Sequence, residues 1–585
     1  MTKRSVPLPV TLPGEGTPVT GPLDEQFARL MVRLHGEPHE LLEEAARMVS
    51  AWRAAGHPCM PLSALADPGK APAKRLLATA VVGTPGEWKP LVLDAAGRLY
   101  LHRYWKYERD LAGSIRARAE ASPPKIDAAL LLQGLDELFT LNQVPGHTGA
   151  DQRRAAEQAV RGHFSVITGG PGTGKTRTVA GILALLHAQD PGTRFALAAP
   201  TGKAAARLTE AITAALDNYP ARDAIPVATT LDRLLGTTPD SPLPRFTAAV
   251  PLAVDVVVVD EASMVGLAMM AKLFAAVPPT ARLILLGDRD QLASVEPGHV
   301  LGDICGGVTA STDLFAPAGG LSDRIVELRE NFRFAKGSAI GEVSALVQRG
   351  KVEEVLTMLR ENAAPDLHAR TLPEPGGLRS ALHKLVESAW APMLRAPTPA
   401  LALAAMSSFR LLCAVRRGPW GVEHLNRQCE GALADAGLLK PGPAHYRGRP
   451  VLITRNDPAL GLFNGDTGII LPDAESGGDF RAFFPALDGT VRRLLPHRLP
   501  PHETCWAMTV HKSQGSEWNE VLLVLPERDS PVLGRELIYT ALTRARRRIE
   551  LWSHAPTLRV ALGRKVERSS GLRDALWGRD AEVGA

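Results

Sequence analysis

The sequence predicts an α/β protein. A phosphate-loop domain and a second αβ domain each hold a parallel sheet covered by helices; a mainly helical N-terminal domain precedes them, and a small β-barrel is inserted in the second. Three observations carry this reading. From residue 152 strands alternate with helices, the pattern that lays strands in parallel with helices on both faces. One strand-to-helix junction reads Gly169-Gly170-Pro171-Gly172-Thr173-Gly174-Lys175-Thr176, a complete G-x-x-x-x-G-K-T phosphate loop in its required context. Residues 441–502 break the alternation with short strands among Gly and Pro, which suits a small barrel. At roughly 100–200 residues per domain, 585 residues allow three to five domains.

Residues 1–22 are rich in Pro, Gly and Thr and read as loose chain. Apolar residues at three- and four-residue spacing predict helices over Glu25–Leu34 and Leu41–Ala54. Pro90–Asp94 and Arg98–Leu101 read as strands around a turn, and Ile126–Phe139 as a helix before the break at Pro145-Gly146, closing an N-terminal domain at 1–148. The first αβ domain, 149–335, holds helix Gln152–Arg161, strand Ser165–Thr168, helix Arg177–Ala188, strand Arg194–Ala198, helix Lys203–Leu216, and strands Val254–Val259 and Arg282–Leu286. The second spans 336–440 and 503–585, with strands Trp506–Val510, Glu520–Val524 and Ile549–Trp552 and helix Gly534–Arg544. Between its halves, the barrel at 441–502 is built from Pro450–Thr454, Gly468–Leu471, Phe480–Phe484 and Thr490–Leu494.

A net charge of +5 permits a nucleic-acid partner without demanding one. Arginine outnumbers lysine 52 to 15, a skew that GC-rich codons explain. The five cysteines are scattered, with no CxxC or Cys/His cluster. This argues against a disulfide framework or a structural zinc and for a reducing compartment. The first residues lack an apolar signal region, and the most apolar strand is too short to span a bilayer. The expectation is a soluble, cytoplasmic monomer.

In the phosphate loop, glycines let backbone N–H groups converge on phosphate oxygens ahead of a helix N-terminus. Lys175 reaches the β- and γ-phosphates, and the Thr176 hydroxyl ligates Mg²⁺. Eighty-five residues on, the apolar strand Val256–Val259 ends in Asp260-Glu261. Asp260 suits Mg²⁺, directly or through water, and Glu261 suits a general base that polarises the attacking water. The chain is expected to hydrolyse ATP with Mg²⁺.

Further motifs follow in order. They are Ala199-Pro200-Thr201-Gly202-Lys203-Ala204-Ala205 (motif Ia), Thr229-Thr230-Leu231-Asp232-Arg233-Leu234-Leu235-Gly236 (Ib), and Leu286-Gly287-Asp288-Arg289-Asp290-Gln291-Leu292 (III). Arg329-Glu330-Asn331-Phe332-Arg333 (IV), Thr509-Val510-His511-Lys512-Ser513-Gln514-Gly515-Ser516-Glu517-Trp518 (V) and Tyr539-Thr540-Ala541-Leu542-Thr543-Arg544-Ala545 (VI) complete the set. In these motifs the chain resembles superfamily 1 helicases of the RecD family, over residues 150–553, and most nearly the type that acts alone. Such relatives carry an N-terminal extension for which this chain has little room, suggesting a truncated N-terminus.

The resemblance implies two RecA-like motor domains with ATP between them, and an SH3-like barrel. Gln152 would read the adenine, with Gly170, Gly172, Thr173, Gly174, Lys175, Thr176 and Arg177 around the phosphates and Glu517 at the ribose. Gln291 would sense the γ-phosphate. Arg333 and Arg544 would reach in from the second domain as arginine fingers, whereas Arg546, Arg547 and Arg548 read as a solvated basic face. Pro200, Thr201, Gly202, Lys203, Thr230, Thr509 and His511 would face single-stranded DNA, gripping phosphates rather than bases. Residues 237–253, with prolines and Phe246, would form a pin hairpin that splits the duplex at a single-strand/double-strand junction. The function implied is an ATP-dependent 5′→3′ DNA helicase in repair or recombination. The alternatives are an RNA helicase of the same superfamily or a DNA-stimulated ATPase subunit that does not unwind.

Overall fold

The computed structural model describes residues 18–66, 70–140, 148–217, 219–238, 241, 243–307, 320–334, 337–361, 363–442, 444–457, 459–486 and 490–578. Two parallel sheets dominate it. The first has six strands in the order Ile325–Leu328, Phe164–Gly169, Arg282–Gly287, Val256–Val259, Phe195–Ala199, Thr229–Thr230. Its centre is a run of four valines, fully buried on both faces; β-branched side chains fit a pleated strand that sees no water. Helices on either side close two cores: Lys175–Gln189 with Gly202–Ala215 on one face, and Leu267–Ala276 with His102–Glu120 on the other.

The second sheet has five parallel strands: Leu367–Thr371, Ala545–Ser553, Trp518–Val524, Phe409–Cys413, Ala507–Thr509. Between the last two in sequence lies a five-stranded antiparallel sheet in the order Val491–Leu494, Phe480–Pro485, Thr467–Pro472, Arg449–Ile453, His502–Thr504. Its strands alternate strictly. Val451, Ile453, Ile470, Ala482 and Phe484 fill its own core, while Ile469, Leu471 and Phe483 face the helices of the second αβ unit. A four-stranded mixed sheet and three helices make the N-terminal unit. Among the described residues no helix is long and apolar enough to cross a membrane.

Three expectations change. Residues 237–253 contain no strand among those described. The chain instead folds back on the helix before it, with Arg245 N and Phe246 N donating to Gly236 O and Leu235 O at 3.3 and 3.1 Å. Phe246 packs against the core of the first sheet, where an aromatic ring gains more than in solvent; Pro244 and Pro251, lacking N–H groups, cannot support a ladder. Among the described residues of this segment no strand pair makes the expected pin hairpin. Second, residues 503–585 do not all belong to the second αβ unit. The terminal helix Leu572–Trp577 buries Leu572 and Leu576 in the core of the first. Third, the 19-residue helix His102–Glu120 was not expected, because its first two turns are aromatic and charged and only Leu111, Ala112, Ile115 and Ala119 mark its apolar stripe.

Candidate active site

The phosphate loop sits at the carboxyl end of strand Phe164–Gly169, where parallel sheets place their ligands. Gly172 and Gly174 both have φ +83°, a left-handed conformation glycine adopts without a Cβ penalty. Lys175 Nζ donates to Gly169 O (2.6 Å) and Gly170 O (2.9 Å), and Thr173 Oγ1 donates to Gly170 O (2.8 Å). The second αβ unit and the linker to it lie directly on this loop. Asn331 Nδ2 donates to Pro171 O at 2.8 Å and Phe332 N to Gly172 O at 2.8 Å. A Cβ on Gly172 would come within 2.3 Å of Arg333 Cβ, and one on Gly170 within 3.0 Å of the Tyr539 hydroxyl.

Asp260 and Glu261 follow the valine strand. Glu261 has φ +52°, one of two non-glycine residues in that region among those described, and its N–H donates to Asp260 Oδ1 at 2.8 Å. Backbone strain of this kind persists where surroundings over-determine it, characteristically at functional sites. Burial first, then the Glu261 carboxylate, pushes the Asp260 carboxyl up to about 7, and Lys175 opposes the rise. A site that resists a second negative charge is one that a cation would complete. Gln291 is buried; its Nε2 donates to Asp288 Oδ2 (3.0 Å) while its Oε1 has no partner. The same Asp288 oxygen accepts from Tyr539 Oη at 2.9 Å, and Leu292 N donates to Thr540 Oγ1 at 3.0 Å. The candidate sensor is therefore tied to the helix Arg535–Leu542 of the second unit. Asp288 and Tyr539 were not singled out from sequence; both lie inside quoted motifs.

Arg333 lies five residues past strand Ile325–Leu328 of the first sheet, on the connection between the units rather than inside the second as expected. Its guanidinium donates to Glu517 Oε1 (2.5 Å) and Thr543 O (3.3 Å). Glu517 is held as an ion-pair partner for Arg333 and Arg546. Burial alone would raise its carboxyl, but Arg333 and Arg544 bring it below the ordinary range. Arg546 is exposed with Arg547 and Arg548, as a solvated basic face requires, and its Nε donates to Glu517 Oε2 at 3.1 Å. Arg544 is buried and donates to Thr540 O (3.1 Å), Ser516 O (3.2 Å) and Thr543 Oγ1 (3.5 Å).

Beside the loop lies a cavity of about 650 Å³ lined by Gln152, Phe139, Tyr219, Phe332, Thr176 and Arg177, among others. Gln152 Nε2 donates to Thr173 O (3.1 Å) while its buried Oε1 lacks a partner. Flat aromatic walls with one unsatisfied amide suit a purine. Of the aromatics, only Phe332 lies in a quoted motif. Stacking on one aromatic is worth about 1–3 kcal/mol, so Phe332→Ala is expected to raise the KM for ATP roughly tenfold with kcat within about threefold. Steady-state phosphate release across ATP concentrations measures it, and an unchanged KM would remove Phe332 from the base site.

A second cavity, about 690 Å³, runs between the two αβ units and the antiparallel sheet. Gly202, Lys203, Thr230, Arg233, Arg410, Phe463 and Trp518 line it. Burial, then Arg207 and Arg410, lowers the Lys203 ammonium to about 7, and Asp466 of the same groove opposes the fall. A Cβ on Gly202 would stand 2.3 Å from Phe463 Cγ, so glycine there lets the antiparallel sheet seat against motif Ia. Thr201 and Thr230 each cap a helix: their Oγ1 atoms accept from Ala204 N (3.2 Å) and Arg233 N (3.3 Å). Pro200 and Thr201 adjoin the groove at Gly202. Thr509 is buried and its Oγ1 accepts from Lys512 N at 3.4 Å. His511 does not join the groove. The turn His511–Ser513 places it in a separate small cavity with Leu292, His299 and Arg568. Of motif V, it is Ser516, Glu517 and Trp518 that reach the groove.

Comparison with known proteins agrees with this geometry. The AAA domain model matches residues 152–297, the UvrD-like helicase C-terminal domain model 504–551, and the model of the RecBCD enzyme subunit RecD, N-terminal domain, 19–73. The chain is similar to the RecBCD enzyme subunit RecD of Mycobacterium tuberculosis, 38% identical over 581 residues and 94% of each chain. To that of Mycolicibacterium smegmatis it is 37% identical over 95% of this chain and 97% of the other. The ATP-dependent RecD2 DNA helicase of Deinococcus radiodurans is 32% identical over 82% of this chain and 59% of its own length. With a candidate nucleotide site at the contact of both αβ units and similarity along nearly the whole chain, this protein belongs to the RecD family of ATP-dependent DNA helicases.

Proposed function

We propose that the protein moves 5′→3′ along single-stranded DNA and opens duplex at a single-strand/double-strand junction, in DNA repair or recombination. The two αβ units act as RecA-like motors at 149–335 and at 336–440 with 503–563; of residues 1–148, those up to 101 form an N-terminal domain while helix His102–Glu120 packs on the first motor, and 441–502 are an SH3-like insertion that helps to wall the DNA. The observation that carries this is the placement of two sites across one interface. The phosphate loop is sealed by Asn331, Phe332 and Tyr539, while the Lys203–Arg410–Trp518 groove spans the same two units. Whatever closes the first site must change the second.

In the closed cleft Lys175 leaves the loop carbonyls for the β- and γ-phosphates, Glu261 takes a proton from the attacking water, and Gln291 orients that water with its unpaired Oε1. Arg544 and Arg333 neutralise the charge that develops on the γ-phosphoryl group. Thr176 and Asp260 would hold Mg²⁺; the hard oxygen donors and the raised Asp260 carboxyl fit it, and bound Mg²⁺ supplies charge neutralisation at the phosphates. In the groove, Lys203, Thr230 and Arg410 hold phosphates, and Trp518 offers a face for a base.

The chain matches subunits named for the RecBCD enzyme over nearly their whole length. That favours work within a multi-subunit complex over the stand-alone monomer expected from sequence. Direction is tested with duplexes bearing a 5′ or a 3′ single-stranded tail. Unwinding from the 5′ tail alone is expected, and unwinding only from the 3′ tail would overturn the assignment.

A further inference from the structure

The chain beyond the second unit's last helix, Ala555–Gly563, does not stay with that unit. Residues 564–571 cross to the first, and helix Leu572–Trp577 completes its core. The crossing is bonded along its length. Ser569 N donates to His57 Nδ1 (3.0 Å), Ser570 Oγ and Gly571 N donate to the buried Glu108 carboxylate (2.7 and 2.9 Å), and Trp577 Nε1 donates to Asp303 O (3.1 Å).

Within this strap, Arg568 donates to three backbone carbonyls: Ser294 O, Glu296 O (2.5 Å) and Gly298 O (2.7 Å). These belong to the irregular segment 292–298, which continues directly from Gln291. A segment without a ladder needs external donors for its carbonyls, and this one takes them from elsewhere in the chain. Gln514 Nε2, in motif V, donates to Leu292 O at 2.9 Å. Arg568 also shares a small cavity with His511 of motif V. One guanidinium therefore stands between the sensor's exit and the turn whose far end, Ser516 to Trp518, lines the groove.

We propose that Arg568 is a positioning residue for ATP hydrolysis: it clamps segment 292–298 so that Gln291 is aligned when the second unit closes on DNA. This rests on the reading of Gln291 as the γ-phosphate sensor and of the groove as the single-strand path. Arg568 touches neither nucleotide nor strand; it acts through the segment it holds.

The test uses the full chain, Arg568→Ala and Arg568→Lys, with a fluorescent oligo(dT) as the DNA. Misalignment of a reacting group costs up to about 100-fold, so R568A is expected to lose roughly 10- to 100-fold of the oligo(dT)-stimulated kcat. DNA-free hydrolysis, the KM for ATP and oligo(dT) affinity by anisotropy should stay near wild type. R568K, which keeps a charged donor, should recover most of the loss. Stimulated kcat in R568A equal to wild type overturns the proposal. So does a uniform fall in DNA-free and stimulated rates tracking a lower melting temperature, which marks a purely structural role. If R568A does not fold, Leu576→Ala, which loosens the docked helix and leaves Arg568 in place, carries the test: lost stimulation with normal oligo(dT) affinity supports the proposal, and unchanged stimulation overturns it. A wild type that neither binds oligo(dT) nor responds to it would overturn the groove reading itself, and this proposal with it.

Discussion

Lys175→Ala is expected to lower ATP hydrolysis by roughly 10²–10³-fold, about 3–4 kcal/mol of transition-state stabilisation, and to abolish unwinding. The ammonium is the cation seated inside the phosphate loop, 2.6 and 2.9 Å from two loop carbonyls. It also opposes, as a minor contribution, the rise of the Asp260 carboxyl, so the variant loses a phosphate contact and a nearby positive charge. The fold should survive. The loop's shape is set by Gly172 and Gly174 and by the bonds from Asn331 and Phe332, none of which uses the amine. Single-stranded DNA binding should also survive, because Lys203, Thr230 and Arg410 line a different cavity. Phosphate release and strand displacement measure the two losses, and anisotropy the retained binding. Unwinding at the wild-type rate would remove the phosphate loop from the motor.

What could be read before the structure was local. The phosphate loop is one short segment whose residue types state their geometry, and Val256–Val259 announces a central strand by β-branching alone. What could not be read is convergence. Phe139 and Tyr219 meet Gln152 from separate segments, and nothing near either marks it as part of a base pocket. His511 sits in the right motif, but a single turn decides which side it faces, and it faces Arg568. Leu572 and Leu576 show the spacing of any amphipathic helix; which of two cores they fill depends on where the crossing chain can reach. Phe246 was read as a wedge because it is apolar in a loop, yet the core beside it was a better place for the ring.

Arg544 tests the other half of the cleft. Arginine fingers contribute about 10³–10⁵ in kcat, so Arg544→Ala is expected to lose roughly 10³-fold, about 4 kcal/mol, with oligo(dT) affinity unchanged. Alanine alone is ambiguous. The buried guanidinium also serves Thr540 O, Ser516 O and Thr543 Oγ1, and a buried acceptor left unpaired costs about 1–3 kcal/mol of stability. Arg544→Lys separates the two roles. It keeps a donor and a charge in the same place, so the melting temperature should stay near wild type. A compact ammonium cannot span the positions a guanidinium fork reaches, so kcat should still fall by roughly 10²-fold. Arg333 shares that charge but is paired with Glu517 at 2.5 Å, so it is expected to replace Arg544 only in part. A lysine variant hydrolysing ATP within threefold of wild type would make Arg544 a structural bolt of the second unit and leave Arg333 as the finger.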